Sequence, residues 1–86
     1  STEELKFASP DTKKFQVVDK VKEYAIAKGY NFLDIDGVKV LFNDGWALVR
    51  ASNTGPNLTA RFEAQTEERL NSLQKEFTDL INEYNK

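Results

Sequence analysis

Two amphipathic helical patterns stand on either side of a block of short strand patterns, and this order limits the folds open to the chain. The first helix is predicted over residues 10–28, and the second begins after Thr66. Their apolar stripes are formed by Phe15, Val17, Val18, Val21, Tyr24 and Ala25 in the first helix and by Leu70, Leu73, Phe77, Leu80, Ile81 and Tyr84 in the second. Each stripe must be buried against another layer, and only one strand pattern has a clean apolar face. Both helices are therefore predicted to pack on one face of a sheet.

Capping residues mark the ends of the two predicted helices. Ser9 is expected as the N-cap of the first helix, with Pro10 at the first helical position. Gly29 is suited to end that helix in a left-handed conformation, and Thr66 is expected to cap the second helix. The solvent side of the first helix is expected to contain Lys13, Lys14, Lys20, Lys22 and Glu23.

Four strands are predicted between the helices, at residues 32–35, 38–42, 46–49 and 58–64. Asp36 and Gly37 form a strong hairpin signal between the first two. The third strand is apolar on both sides and is expected to be central, and the fourth alternates cleanly. Residues 4–7 also alternate and are expected to form an edge strand or an extended lead-in. The pattern predicts an α+β fold with a four-stranded antiparallel sheet and a short N-terminal extended segment.

Composition narrows the class of protein. A length of 86 residues suits a single domain over residues 1–86, and 40% apolar with 30% charged residues is typical of globular proteins. The net charge is −2 and the Lys and Arg residues are scattered, so no nucleic-acid-binding face is expected. The absence of Cys and His excludes Cys/His zinc sites and His-based triads within this chain. No apolar run approaches the roughly 20 residues of a membrane span, so no membrane partner is expected. The expected location is the cytoplasm.

The segment 50–56, between the third and fourth predicted strands, collects donors suited to an anion. Arg50 offers a planar, bidentate fork that matches phosphate or carboxylate. Ser52, Asn53 and Thr54 can each add a side-chain donor before a Gly-Pro pair redirects the backbone. The same cluster is also an ordinary way to interrupt a sheet, and spacing alone does not distinguish the two interpretations.

A second candidate site lies at Asp34, Asp36 and Gly37. This motif superficially resembles that of haloacid-dehalogenase-type phosphatases, in which Asp34 would be the nucleophile and Asp36 the acid/base. That family expects Thr where Val38 stands, together with a large parallel α/β domain, so an Asp-Gly turn is the favoured interpretation. A magnesium site at Asp34, Asp36 and Asp44 is disfavoured because two of the three are ordinary turn residues.

Three segments, residues 36–40, 45–56 and 61–64, together resemble the C-terminal domain of the α-D-phosphohexomutases. The resemblance covers nearly all 86 residues, is most specific over residues 44–64, and is closest to phosphomannomutase/phosphoglucomutase. It implies a four-stranded antiparallel sheet with two helices, similar to the TATA-binding-protein-like fold. It also implies that the substrate phosphate is bound by Arg50, Ser52, Asn53 and Thr54. Gly55 departs from the Glu, Thr or Ser usual in related enzymes.

In that family four domains surround a cleft, and a phosphoserine exchanges phosphate with a hexose phosphate to interconvert the 1- and 6-phosphates. The resemblance implies that this chain is the fourth domain, which binds the non-reacting phosphate and closes the cleft. Its expected partners are the hexose phosphate and the other domains of the parent enzyme, an isomerase of carbohydrate metabolism. Neither catalytic residues nor a cofactor is expected in this chain, whereas Mg²⁺ is expected in the parent enzyme. The alternative hypothesis is a stand-alone protein- or RNA-interaction module with a small α+β fold.

Overall fold

The described part of the chain folds in the order strand, helix, four strands, helix. The structure, a computed structural model, describes residues 4–35, 37–52 and 55–85 and leaves out the side chains of Asp11 and Thr12. Its elements are β1 (Leu5–Ala8), α1 (Asp11–Lys28), β2 (Asn31–Leu33), β3 (Val38–Phe42), β4 (Gly45–Ala51), β5 (Asn57–Ala64) and α2 (Glu67–Tyr84). Both predicted helices are thus confirmed. In these described residues no helix is long and apolar enough to cross a membrane.

The strands form an antiparallel sheet in the order β1-β5-β4-β3-β2. The α+β class and the antiparallel pairing are confirmed, but the sheet has five strands in the described residues rather than the expected four. The N-terminal segment supplies the fifth, because Leu5 pairs with Ala60 and Phe7 with Leu58. This register lets both apolar side chains pack against the core. The alternation at residues 4–7 is too short to distinguish an edge strand from an extended lead-in.

Both helices lie on one face of the sheet, as predicted, and each contacts β4 and β5. Alternate residues of three strands are buried on that face: Val38, Val40, Ala47, Val49, Leu58, Ala60 and Phe62. The helices bury Val17, Val21, Ala25, Leu73, Phe77 and Ile81 against them. The middle strand is β4, in agreement with its apolar sequence. The opposite side of the sheet, on which neither helix packs, is called the open face below.

The first helix begins one residue later than predicted, and its first turn differs from the prediction in which side chain is buried. Pro10 occupies the N-cap position, and no side-chain hydrogen bond caps the helix. The expected cap, Ser9, instead donates its backbone N–H to the Pro56 carbonyl oxygen at 2.8 Å. Phe15, expected in the core, is 58% exposed, whereas Lys14, expected on the solvent side, is 5% exposed. The buried side of α1 therefore starts one position earlier than its apolar residues indicate.

The other helix ends follow the sequence. Gly29 adopts φ of 73° and ψ of 22°, and the Tyr30 N–H donates to the Ala25 carbonyl oxygen at 2.9 Å. Thr66 Oγ1 accepts a hydrogen bond from the Arg69 N–H at 3.1 Å and caps α2 as expected. These bonds satisfy backbone groups that have no partner within the helix itself.

Two tyrosines share one carboxylate between the helices. Tyr24 Oη and Tyr30 Oη donate to Glu76 Oε2 at 2.7 and 3.0 Å. Burial raises the pKa of both phenols, and the hydrogen bond to Glu76 raises each pKa further. The cluster joins the C-terminal part of α1 to the middle of α2, and so it lies far along α1 from the first turn of that helix.

Candidate functional site

The segment 50–56 covers the last two residues of β4 and the connection from β4 to β5. Ala51 and Leu58 are the last residues paired between the two strands. Beyond them, the Ser52 N–H donates to the Asn57 carbonyl oxygen at 2.9 Å, and the Asn57 N–H donates to the Gly55 carbonyl oxygen at 2.8 Å. Both flanking strands have neighbours on either side in the sheet. The ends of the loop are therefore held by fully paired strands.

Arg50 and Ser52 stand at the entrance of this loop. Arg50 is the next-to-last residue of β4, is exposed, and belongs to the open face because Val49 beside it is buried towards the helices. Ser52 is half-buried directly after the strand. The two other predicted phosphate contacts, Asn53 and Thr54, lie outside the described residues. The described part of the site thus offers a guanidinium and a hydroxyl, both able to hydrogen-bond an anion.

The β2–β3 connection packs against the backbone of Arg50. The hairpin itself is confirmed, but β2 ends at Leu33, so its loop is longer than the predicted two-residue turn, and Asp36 lies outside the described residues. Gly37 has φ of 111°, and a Cβ built there would lie 2.6 Å from Arg50 Cβ and 3.0 Å from Arg50 Cα. Glycine is required at this position because φ is positive and because a side chain would clash with Arg50. Without a side chain, the β2–β3 connection can pack closely against the backbone of Arg50.

Basic residues gather on the open face near the loop. Residues that pair across neighbouring strands form ladder rows that cross the sheet, and the two rows of the open face closest to the loop contain four cations. In the first row Lys6 and Arg50 flank Thr59. In the second row Arg61 and Lys39 flank Leu48. The third row contains Trp46, whose Nε1 donates to Glu63 Oε2 at 3.2 Å. Charges that are scattered in the sequence are therefore concentrated by the strand register at the loop end of the sheet, where they would attract an anion.

Lys14, in the first turn of α1, binds the loop from the core side. Its Nζ donates to the carbonyl oxygens of Ser52 at 2.7 Å and of Gly55 at 3.1 Å. Sequence reasoning placed this lysine on the solvent side of the helix and missed the contact. A signal was nevertheless present, because Lys14 precedes Val17 by three residues and Val21 by seven, and such spacings place it on the buried side of the helix.

The alternative aspartate sites are not assembled in the described residues. Asp34 is exposed and accepts a hydrogen bond from Lys22 Nζ at 2.9 Å, which lowers the pKa of its carboxyl. Asp44 lies beyond the other end of β3, with Arg69 Nε 3.1 Å from a carboxylate oxygen. Over residues 4–35, 37–52 and 55–85, no group of three or more metal-binding side chains occurs.

The fold and the loop together define a small α+β domain with a donor-rich hairpin connection at one end of its sheet. A family model described as phosphoglucomutase/phosphomannomutase, C-terminal domain, matches residues 4–80. The phosphoglucomutase of Neisseria meningitidis serogroup B is 42% identical over 83 residues, covering 94% of this chain and 18% of that protein. The phosphomannomutase/phosphoglucomutase of Pseudomonas aeruginosa is 40% identical over 81 residues, with coverages of 94% and 18%.

The structural comparison agrees with the sequence comparison. A crystal structure of a phosphoglucomutase/phosphomannomutase family protein from Burkholderia thailandensis superposes with a TM-score of 0.75 and 31% identity, covering 96% of this chain and 17% of that one. The chain therefore belongs to the phosphoglucomutase/phosphomannomutase C-terminal domain family, as the resemblance predicted. It spans about 18% of the length of the two curated relatives.

Proposed function

We propose that this chain is the substrate-phosphate-binding domain of a phosphohexomutase that interconverts hexose 1-phosphate and hexose 6-phosphate. The observation that carries the proposal is the β4–β5 connection, which in a chain of this family is preceded by Arg50 at the exposed, cation-rich end of the open face. In the proposal, Arg50, Ser52, Asn53 and Thr54 bind the phosphate that is not reacting.

Charge and hydrogen bonding support this assignment. A phosphate dianion accepts several charge-assisted hydrogen bonds, and a guanidinium can supply two of them in the correct plane. The neighbouring cations Lys6, Lys39 and Arg61 add a positive field that favours anion encounter. Because the loop is held between paired strands, its donors would orient the substrate, and binding energy far from the reacting oxygen can serve catalysis in this way.

Catalysis itself is proposed for the parent enzyme and not for this chain alone. Residues 1–86 would form one C-terminal domain of a larger protein, whose other domains supply the phosphoserine exchange and hold Mg²⁺. Closure of this domain over the cleft would exclude water from the reacting phosphate. We further propose a TATA-binding-protein-like arrangement of sheet and helices, and a cytoplasmic role in carbohydrate metabolism.

The alternative, a stand-alone protein- or RNA-interaction module, has less support. Trp46 is the side chain best suited to stack on a base from the open face. Its ring is already covered by Lys39, whose Nζ lies 4.5 Å from the ring centroid, and its indole N–H is bonded to Glu63. A surface of this kind gives no specific reason to favour RNA.

Titration of glucose 1-phosphate into the ¹⁵N-labelled chain tests the phosphate site. We expect amide shifts clustered over residues 50–55, with a dissociation constant on the order of millimolar, because exposed ion pairs contribute only about 0–1 kcal/mol each. Added salt should weaken the effect. Shifts that cluster at Asp34, or that require Mg²⁺, would favour the phosphatase-like alternative. No shift at ligand concentrations far above millimolar would refute the proposal.

Two arginines of the open face provide a matched comparison in the parent enzyme. Arg50→Ala is expected to lower kcat/KM about ten- to a hundredfold, because loss of a charge-assisted contact costs about 1.5–3 kcal/mol. Arg61→Ala removes the same charge one ladder row further from the loop and should have a much smaller effect. Equal losses from the two substitutions would show that Arg50 makes no specific contact with the phosphate.

A further inference from the structure

The most deeply buried cation described in the chain is Lys14, and it donates to backbone oxygens of the candidate phosphate loop. The side chain is 5% exposed, and its Nζ bonds to the carbonyl oxygens of Ser52 and Gly55. These two oxygens lie on opposite sides of the pair 53–54, so one ammonium group spans the loop. Burial of a charge is costly unless hydrogen bonds compensate for it, and charged hydrogen bonds to carbonyl oxygens provide such compensation.

The first turn of α1 is brought under the loop by the strand that precedes it. Ala8 pairs with Asn57 at the end of the β1–β5 ladder, and the Ser9 N–H then donates to the Pro56 carbonyl oxygen. The chain turns into α1 directly beside the loop, and Lys14 follows on the buried side of the helix. Three carbonyl oxygens of the segment 52–56 are thus bonded to one short stretch, residues 9–14.

We propose that Lys14 is a positioning residue for phosphate binding: it holds the Ser52 and Gly55 carbonyl oxygens towards the core and places a positive charge beneath the loop. The inference rests on the proposed function of the loop. A carbonyl oxygen that faced a phosphate would repel it, so a loop that binds an anion must turn its carbonyl oxygens away from the ligand. Lys14 does this for two of them, and its charge favours the same ligand electrostatically.

The test uses the ¹⁵N,¹³C-labelled 86-residue chain in three forms: wild type, Lys14→Met and Lys13→Met. Methionine retains most of the aliphatic stem and removes the ammonium. Lys13 is the matched control, because it is the adjacent half-buried lysine and its side chain has no hydrogen bond to Ser52 or Gly55. Two quantities are measured: the carbonyl ¹³C shifts of Ser52 and Gly55, and the dissociation constant for glucose 1-phosphate.

In wild type, the Lys14 ammonium protons should be protected from exchange and couple to the Ser52 and Gly55 carbonyl carbons. Lys14→Met should shift both carbonyl signals upfield and weaken glucose 1-phosphate binding by about tenfold, the cost of losing charged hydrogen bonds. Lys13→Met should leave the carbonyl signals in place and change the affinity by less than about twofold, because the Lys13 ammonium makes no hydrogen bond to the Ser52 or Gly55 carbonyl oxygens and its charge is partly screened by solvent. If Lys14→Met does not fold, Lys14→Gln replaces it in both measurements, and the wild-type signals still report the contact.

Three results would count against the inference or its foundation. A folded Lys14→Met chain with wild-type affinity overturns the positioning role and leaves the proposed function standing. Equal loss of affinity in Lys14→Met and Lys13→Met overturns it as well, because only general charge would then matter. Absence of binding by the wild-type chain refutes the proposed function and with it the role in phosphate binding, while the carbonyl signals still decide whether Lys14 shapes the loop.

Discussion

Replacement of Gly37 by alanine is expected to destabilise the chain far more than the same replacement at Gly29. Both glycines have positive φ, 111° at Gly37 and 73° at Gly29. An added Cβ at Gly29 meets no atom within 4 Å. At Gly37 it would lie 2.6 Å from both Arg50 Cβ and the Val49 carbonyl oxygen. The comparison therefore separates the cost of the backbone conformation from the cost of contact with β4.

The magnitudes follow from these two geometries. One L-residue in the left-handed region costs about 1–2 kcal/mol, which is the full expected effect of Gly29→Ala. For Gly37→Ala, a rare backbone conformation costs about 1–3 kcal/mol and overpacking adds a further 1–3 kcal/mol or so. The atoms in the way belong mainly to the backbone of the central strand, so no side-chain rotation can relieve the clash. We expect a total loss of about 2–6 kcal/mol for this variant.

Urea unfolding monitored by the fluorescence of Trp46, the single tryptophan, measures both losses. With an m-value of about 1 kcal/mol/M for a small domain, Gly29→Ala should lower the midpoint by roughly 1–2 M. Gly37→Ala should lower it by roughly 2–6 M, and the upper end of this range approaches the whole stability of a domain with about 5–6 kcal/mol of unfolding free energy. Equal midpoints for the two variants would refute the reasoning, because they would show that residue 37 does not press against β4 at Arg50.

Two further predictions concern Gly55 and the tyrosine cluster. The φ of Gly55 lies outside the left-handed region, and an added Cβ would meet only the Asn57 side-chain amide, at 3.1 Å. Gly55→Ala should therefore stabilise the chain by about 0.4–1 kcal/mol through the unfolded state, and a lowered urea midpoint would contradict this. Burial and the Glu76 hydrogen bond raise the pKa of Tyr24, so the folded state retains the phenolic proton after the unfolded state begins to lose it. The stabilising contribution of Tyr24 should be constant up to about pH 10 and be lost above it, so urea midpoints from Tyr24→Phe should fall less steeply than those of wild type in that range; identical slopes would exclude Tyr24 as a cause.

Periodicity predicted the elements well because each helix and strand must bury one side. The stripe of α2, the stripe of α1 apart from Phe15, the alternation in β5 and the glycine and threonine at the helix ends all report a local requirement, and all were confirmed. Lys14 and Phe15 show where this reasoning stops. Hydrophobicity placed Phe15 in the core, but its side chain is 58% exposed, whereas the Lys14 ammonium donates to the carbonyl oxygens of Ser52 and Gly55. Which side chain suits such a position depends on a segment almost forty residues further along the chain.

The candidate loop shows the same division between local and tertiary information. Its donor-rich composition could be read directly from residues 50–56, although the same residues also fitted a plain turn. The concentration of Lys6, Lys39 and Arg61 near Arg50 could not be read from the sequence, because it depends on the register of four strands. A shift of one residue in that register would move each side chain to the other face of the sheet. The aspartates 34 and 44 illustrate the converse, since strand β3 separates two residues that composition alone could have combined into one site.

The pairing of β1 with β5 determines where α1 begins relative to the β4–β5 loop. A four-stranded sheet would leave the N-terminal segment without a defined path, and nothing would then place the first turn of α1 beside the β4–β5 loop. The β1–β5 pairing extends to Ala8 and Asn57, and the next residue, Ser9, donates its backbone N–H to the Pro56 carbonyl oxygen. This path of the chain positions Lys14 to donate to the carbonyl oxygens of Ser52 and Gly55. The edge strand thus contributes more than added sheet area, because its register determines where α1 begins. A change that breaks the β1–β5 pairing should therefore disturb the loop even though no residue of β1 lies within it.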